Sequence, residues 1–281
     1  MTPVVPIEAL ARVVDAALAE DLGKPGDITT RAIVPPGAPM HAVIRSREAG
    51  CIAGSDAVAI VFSRLPEPAT ATIVAADGQQ VAAGDIIAVL NGAAATILTG
   101  ERTILNLLGR LSGIATATAA VVRAVEGTSV AVKDTRKTTP GLRLLEKYAV
   151  AVGGGMNHRI GLHDAVLIKD NHIGIAGSIT EAVARTRAAL GESFAIQVEV
   201  DTLVQLEEAL RAGVAAVLLD NMPPEQLKRA VAVVAGRCYT EASGGITLAN
   251  VREVAETGVD AISLGWLTHT SKSLDLGLDL R

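Results

Sequence analysis

AIQVEVDTLVQLEEALRAGVAAVLLD, running from Ala195 to Asp220, reads as strand, helix, strand. Ala195–Val200 is a short apolar run with Glu199 near its end, and Ala215–Asp220 is a second that finishes on Asp220. Asp201-Thr-Leu has the chemistry of a loop that opens a helix, and a candidate helix over Leu203–Ala212 follows. Two strands joined by a helix of about ten residues lie parallel in one sheet.

The same alternation extends to both sides once residue 125 is passed. Candidate strands are Val130–Lys133, Val166–Lys169, Cys238–Ala242 and Ala261–Leu264. Candidate helices are Thr139–Val150, Ser178–Leu190, Pro223–Ala235 and Thr247–Glu256. The pattern predicts an α/β fold with a parallel sheet, open or closed into a barrel. Lys169, Glu199, Asp220 and Glu241 each stand at the carboxyl end of a predicted strand. The loops that follow strands converge at that end, so four charged residues there point to an active site rather than to solvation.

Before residue 125 the pattern differs. Ile7, Leu10, Val13, Val14, Ala17 and Leu18 have helical spacing, and Asp27-Ile-Thr-Thr opens a more extended region. His41–Arg47 and Thr70–Ala75 read as strands, and Asp77–Gly92 as short strands punctuated by glycine turns. That last stretch is similar to the turns of lipoyl and biotinyl domains but has no lysine near a hairpin tip, so its role is structural. A helix is predicted from about Gly100, with Ile104, Leu105, Leu107, Leu108 and Leu111 on one face. Arg102 falls in its first turn, where free backbone N–H groups favour anions; by spacing alone it is a solvated charge.

Composition narrows the function. Of 281 residues 49% are apolar and only 2% aromatic, so the core is built from Ala, Val, Ile and Leu. The net charge of -5 is uneven: Lys133–His172 holds seven Lys or Arg against four acids, leaving -8 for the remainder. A local basic segment in an acidic chain suits a pocket for a small anion and argues against nucleic acid. Apolar runs such as Ala215–Leu219 are strand-length, which predicts no membrane span. Glu8, Asp15, Glu20 and Asp21 in the first thirty residues do not suit a signal peptide, and a cytoplasmic protein is expected. Cys51 and Cys238 stand alone and read as buried small hydrophobes.

Three features carry chemistry. Asp134-Thr-Arg-Lys-Thr-Thr-Pro-Gly-Leu-Arg follows a predicted strand and sets the planar fork of Arg136 beside the point charge of Lys137, both suited to carboxylates or phosphates. Gly153-Gly-Gly-Met-Asn-His-Arg lets backbone approach a ligand or neighbour closely, with His158 and Arg159 next to it. Ser243-Gly-Gly and Ser263-Leu-Gly follow two late strands, the place where phosphate-binding barrels hold phosphate, and His269 is near in sequence. The chain has no Gly-x-x-x-x-Gly-Lys-Ser/Thr, Gly-x-Ser-x-Gly, His-Glu-x-x-His or Cys-x-x-Cys, which disfavours a P-loop, covalent hydrolase chemistry and structural zinc.

Glu101-Arg-Thr-Ile-Leu-Asn, Thr135-Arg-Lys-Thr-Thr-Pro-Gly-Leu-Arg, Lys147-Tyr-Ala-Val, Gly153-Gly-Gly-Met-Asn-His-Arg and Leu167-Ile-Lys-Asp-Asn-His occur in that order. Val198-Glu-Val-Asp, Leu218-Leu-Asp-Asn, Glu241-Ala-Ser-Gly-Gly and Gly265-Trp-Leu-Thr-His follow. Together they resemble the quinolinate phosphoribosyltransferase family over nearly the whole chain. The resemblance implies an α/β sandwich domain from 1–111 plus 272–281, and an incomplete α/β barrel of the type II phosphoribosyltransferase kind over 112–271. It also implies a homodimer with shared active sites, higher assembly being left open, in which Arg102 serves the neighbouring subunit.

The implied substrates are quinolinate and phosphoribosyl pyrophosphate, and the implied products nicotinate mononucleotide, pyrophosphate and CO2, a step of de novo NAD biosynthesis. The resemblance places Arg102, Thr135, Arg136, Lys137, His158, Arg159 and Lys169 at the substrates, mainly around the two carboxylates of quinolinate. It gives Glu199 and Asp220 to the ribose hydroxyls and to Mg2+, and groups Lys137, Lys169, Glu199 and Asp220 as catalytic. Ser243, Gly244, Gly245, Ser263, Leu264 and Gly265, with His269, would hold the 5′-phosphate. Competing readings are a related protein of molybdenum-transport operons, nicotinate phosphoribosyltransferase, and a non-catalytic sensor of a phosphorylated metabolite.

Overall fold

Leu203–Arg211 is a helix for reasons visible in its first turn. Thr202 Oγ1 accepts from Gln205 N at 3.2 Å while Gln205 Oε1 accepts from Thr202 N at 3.1 Å, a reciprocal cap. Ser178 caps Ile179–Leu190 in a similar way, through Glu181 N at 3.1 Å, and Pro224 opens Pro224–Val234. These helices alternate with strands in a computed structural model that describes residues 3–191 and 193–281.

By its contacts the chain forms two compact units. One holds the chain up to Ala119 with Thr138–Gly154 and Trp266–Arg281, and the other holds Ala120–Lys137 and Gly155–Gly265.

The second unit is built on a six-stranded, all-parallel sheet. Its order across the sheet is Ala131–Lys133, Ala261–Ser263, Tyr239–Ser243, Ala216–Asp220, Ile196–Val200 and Val166–Ile168. Beyond the first of these, Met156 N donates to Val132 O at 2.7 Å and Asp134 N to Met156 O at 3.2 Å, adding a one-residue parallel bridge. The ladder runs open from that bridge to Val166–Ile168, which is consistent with a barrel left incomplete. All six strands lie within a residue or two of the predicted ones.

The first unit holds a four-stranded antiparallel sheet in the order Leu276–Leu280, Pro39–Ser46, Ile86–Ala93, Ala69–Ile73. Ala42 pairs with Leu280 and Ser46 with Leu276, so the chain's last strand flanks an early one. Leu10, Val14, Val58, Val61, Ile44 and Leu90 are buried around it.

Two local expectations are corrected. Ile28–Ile33 is a helix rather than an extended segment, because Asp27 Oδ1 accepts from Thr30 N at 2.9 Å and caps it. The helix expected from about Gly100 begins at Ala94 and runs to Ala124, which moves Arg102 from the first turn to about the third. Among the described residues this is a helix long and apolar enough to cross a membrane, but 72% of its most apolar window is buried inside the protein.

Glycine explains how closely that helix is approached. A Cβ at Gly113 would collide with the carbonyl oxygen of Lys272, and one at Gly109 would lie 2.9 Å from that of Leu274. Nearby, the wholly buried Glu146 carboxylate accepts from Arg110 Nη2 at 2.7 Å, Arg110 Nε at 3.1 Å, Thr139 Oγ1 at 2.8 Å and Thr139 N at 2.9 Å. Arg110 in turn donates to Ser271 O at 2.9 Å and to Thr268 O. One satisfied buried ion pair thus ties three separate segments of this unit.

Gly113→Ala should cost about 1–3 kcal/mol through backbone overpacking. Gly174→Ala, in the helix Asp170–Ala176 where a Cβ would meet nothing within 4 Å, should instead be neutral or stabilise by up to about 1 kcal/mol. Urea denaturation midpoints check both, and equal effects would contradict this account of Gly113.

Candidate active site

The register of the parallel sheet fixes which residues meet at its carboxyl end. Lys133 pairs with Ser263, Ser263 with Ser243, and Ser243 with Asp220, forming one polar row. Two residues back, Glu241 and Glu199 both pair with Leu218. Side chains two apart share a face, so a second polar tier lies on the same side of the sheet as the first.

The cationic part lies on the segment tied to Ala131–Lys133. Asp134, wholly buried, accepts from His158 N at 2.7 Å, and His158 Nδ1 accepts from Arg159 N at 2.9 Å. Arg159 Nη1 donates to Ala165 O at 3.0 Å, while its buried Nε has no partner, and neither has the buried Nε of Arg136. Burial, and then the charge of Arg136, push the Arg159 guanidinium below its ordinary range. Two guanidiniums with unused buried donors and mutual repulsion make a site short of negative charge. Asp164 shapes the following turn, accepting from Ile160 N at 2.7 Å and Gly161 N at 2.8 Å.

The anionic part adjoins two lysines. Lys169 Nζ pairs with Glu199 Oε2. Burial, then Glu199 and Asp201, raise the Asp220 carboxyl above its ordinary range, while Lys169 and Lys137 act the other way. Lys137, Lys169 and Glu199 are therefore all close enough to act on Asp220.

The glycine loops come next in the row. Asn221 adopts φ 53°, donates from its backbone N to Ser243 O at 2.9 Å and from Nδ2 to Asp220 Oδ2 at 2.6 Å. Gly244 has φ +89°, and a Cβ there would collide with the Asn221 side chain. Ser263 Oγ is buried without a partner, and Leu264 N is held by Lys133 O at 2.9 Å. An unpartnered buried hydroxyl beside a glycine turn suits an oxyanion such as phosphate.

The second unit thus contains Thr135, Arg136, Lys137, His158, Arg159, Lys169, Glu199, Asp220, Ser243, Gly244, Gly245, Ser263, Leu264 and Gly265. Arg102 and His269 belong to the first unit; both are exposed, His269 at the end of the short helix Trp266–His269. Sequence reasoning gave no role to Asp134, Asn221, Lys133 or Gln197. Asp134 could have been found as an acid set immediately before a basic loop, and Asn221 as a turn-forming residue directly after Asp220. Lys133 and Gln197 carry no local signal.

Comparison with known proteins identifies the family. Residues 27–112 match the family model for the quinolinate phosphoribosyl transferase N-terminal domain, and residues 114–279 match that for the C-terminal domain. A probable nicotinate-nucleotide pyrophosphorylase (carboxylating) of Bacillus subtilis is 46% identical, over 93% of this chain and 90% of that protein. A nicotinate-nucleotide pyrophosphorylase (carboxylating) of Mycobacterium leprae is 45% identical over 94% of each. The solved nicotinate-nucleotide pyrophosphorylase of Francisella tularensis superposes with a TM-score of 0.94 at 39% identity, covering 100% of this chain and 99% of that one. With both halves matched and the polar row in place, the chain belongs to the quinolinate phosphoribosyltransferase family.

Proposed function

We propose that this chain transfers the phosphoribosyl group of phosphoribosyl pyrophosphate to quinolinate, releasing pyrophosphate, CO2 and nicotinate mononucleotide. The observation that carries the reading is the Arg136–Arg159 pair, whose unpaired buried Nε donors and mutual repulsion call for a ligand with two negative groups side by side. Quinolinate has two adjacent carboxylates. The family membership and the similarly named relatives point the same way.

In this scheme Arg136 and Arg159 orient the ring through its carboxylates. Ser263 Oγ and the Gly244–Gly245 backbone hold the 5′-phosphate, and Glu199 and Asp220 hold the ribose hydroxyls. The pyridine nitrogen forms a bond to ribose C1 as the bond from C1 to pyrophosphate breaks, with Lys137 and Lys169 balancing the departing charge. The nitrogen, now cationic, stabilises the electron pair left on the ring carbon when the bond to the 2-carboxylate breaks. CO2 departs and a proton takes its place. Fixed charges in place before reaction supply the acceleration.

Glu199 and Asp220 offer the oxygen donors that Mg2+ takes, and among the described residues no group of three or more His, Cys, Asp or Glu stands ready for a metal. That donor set fits a Mg2+ carried chiefly by pyrophosphate oxygens and water, with one or two protein carboxylates. Bound there it would neutralise charge on the leaving pyrophosphate. The reading also includes a cytoplasmic homodimer in which Arg102, exposed and without a partner among the described residues, serves the neighbouring site.

Quinolinate, phosphoribosyl pyrophosphate and Mg2+ together should yield nicotinate mononucleotide and CO2; tight quinolinate binding without CO2 would sink the assignment. Arg159→Ala should lower kcat/KM on the order of 100-fold, chiefly through the KM for quinolinate.

Asp220→Asn should abolish turnover yet raise the melting temperature at neutral pH. A carboxyl raised in the folded state holds its proton more tightly there than in the unfolded chain. Stability is therefore lost as pH rises from the ordinary range through the raised one. The gain from Asn should vanish below about pH 3, where both states are protonated. A pH series of melting curves checks the sign.

The shared site predicts complementation. Arg102→Ala and Lys169→Ala chains, each inactive alone, should recover about a quarter of the parental rate when mixed equally and allowed to exchange subunits. No recovery, with exchange verified, would remove Arg102 from the neighbour's site.

A further inference from the structure

The second tier of the sheet holds polar side chains that the proposed chemistry does not use. Glu241 is wholly buried, and its Oε2 accepts from Lys133 Nζ at 3.2 Å and from Gln197 Nε2 at 3.2 Å. Lys133 also sits 4.6 Å from the centroid of the Tyr239 ring. Glu241 Oε1 makes no hydrogen bond, yet it lies 3.4 Å from His158 Nε2.

Stability alone does not account for this group. A buried ion pair loses in desolvation much of what it gains in attraction, and apolar residues of similar size often replace one without loss. The arrangement invites a second role.

His158 supplies it. Its Nδ1 accepts from Arg159 N at 2.9 Å, and a backbone N–H can only donate, so Nδ1 carries a lone pair. The ring proton therefore sits on Nε2, the nitrogen facing the Glu241 carboxylate. His158 N is meanwhile fixed on Asp134 Oδ1 at 2.7 Å. The residue is hydrogen-bonded at its backbone N–H and at Nδ1, its Nε2 faces the Glu241 carboxylate, and the next residue in the chain is Arg159.

We propose that Glu241, with Lys133 as its counter-ion, is a positioning residue that keeps the His158 proton on Nε2 and so holds the His158–Arg159 peptide where the Arg159 guanidinium meets a ligand carboxylate. The inference rests on the reading that Arg159 binds the dicarboxylate. Glu241 touches no substrate in this account. Its carboxylate acts through one imidazole and one peptide bond.

The test uses full-length protein with 15N-labelled histidine. In the parent, His158 should show the Nε2–H tautomer. In Glu241→Gln, which keeps the shape but removes the charge facing Nε2, that preference should weaken, with the KM for quinolinate raised about tenfold or more and kcat and the KM for phosphoribosyl pyrophosphate within about threefold. The paired Lys133→Met, Glu241→Leu variant removes both charges together, so it should fold, and it should show the same split in KM.

An unchanged tautomer and unchanged quinolinate KM in either folded variant would overturn the proposal. So would a uniform fall in kcat and rise in both KM values, which marks a merely structural role. Should the parent itself fail to convert quinolinate, the activity reading fails on that result. The imidazole signals would still report whether Glu241 sets the His158 tautomer.

Discussion

A parallel sheet brings the loops that follow its strands together at one end, and reactive side chains gather there. In this protein the register converts that convergence into a site. Lys133, Ser263, Ser243 and Asp220 fall in one row because their strands pair residue for residue. Shifting any one of these strands by a single residue would turn its charged or hydroxyl group to the opposite face. The caps at Thr202 and Ser178 fix where two of the helices flanking these strands begin.

The groups around this row are not electrostatically at rest. Arg136 and Arg159 repel each other with buried donors unused, while Asp220 is pushed from its charged form by burial and by Glu199 and Asp201. Both clusters gain from a ligand of opposite sign: carboxylates for the first, a cation or hydroxyl donors for the second. The unliganded fold tolerates these costs because its apolar cores are extensive and the buried Glu146 carboxylate is well satisfied by Arg110 and Thr139. A ligand carrying both kinds of group would relieve a tension that folding has set up.

Much of this was legible in the amino-acid order. Strand–helix alternation after residue 125 gave all six parallel strands, since short buried runs between helical stretches have few other readings. The charged strand ends Lys169, Glu199, Asp220 and Glu241 were visible because charge is rare there. What stayed hidden depends on distant partners. The start of the long helix at Ala94 and the short helix Asp170–Ala176 have weak local signals. Ile28–Ile33 had a readable cap in Asp27, but six residues are too few for a helical repeat to show. Asp134 and Lys133 take their meaning from His158 and Glu241, which are far away in the chain. Only the folded register brings them together.

The pairing of Leu276–Leu280 with Pro39–Ser46 bears on how the antiparallel sheet assembles. Pro39–Ser46 is paired on one side by Ile86–Ala93, but its other side waits for Leu276–Leu280, far along the chain. Until then a folding chain holds an unpaired edge of eight residues, an invitation to pair with another chain. The parallel sheet draws its strands from a shorter stretch, between Ala131 and Ser263, and needs no partner so distant in the chain. Arrival of that far strand, rather than collapse of the parallel sheet, thus sets when the early edge is covered.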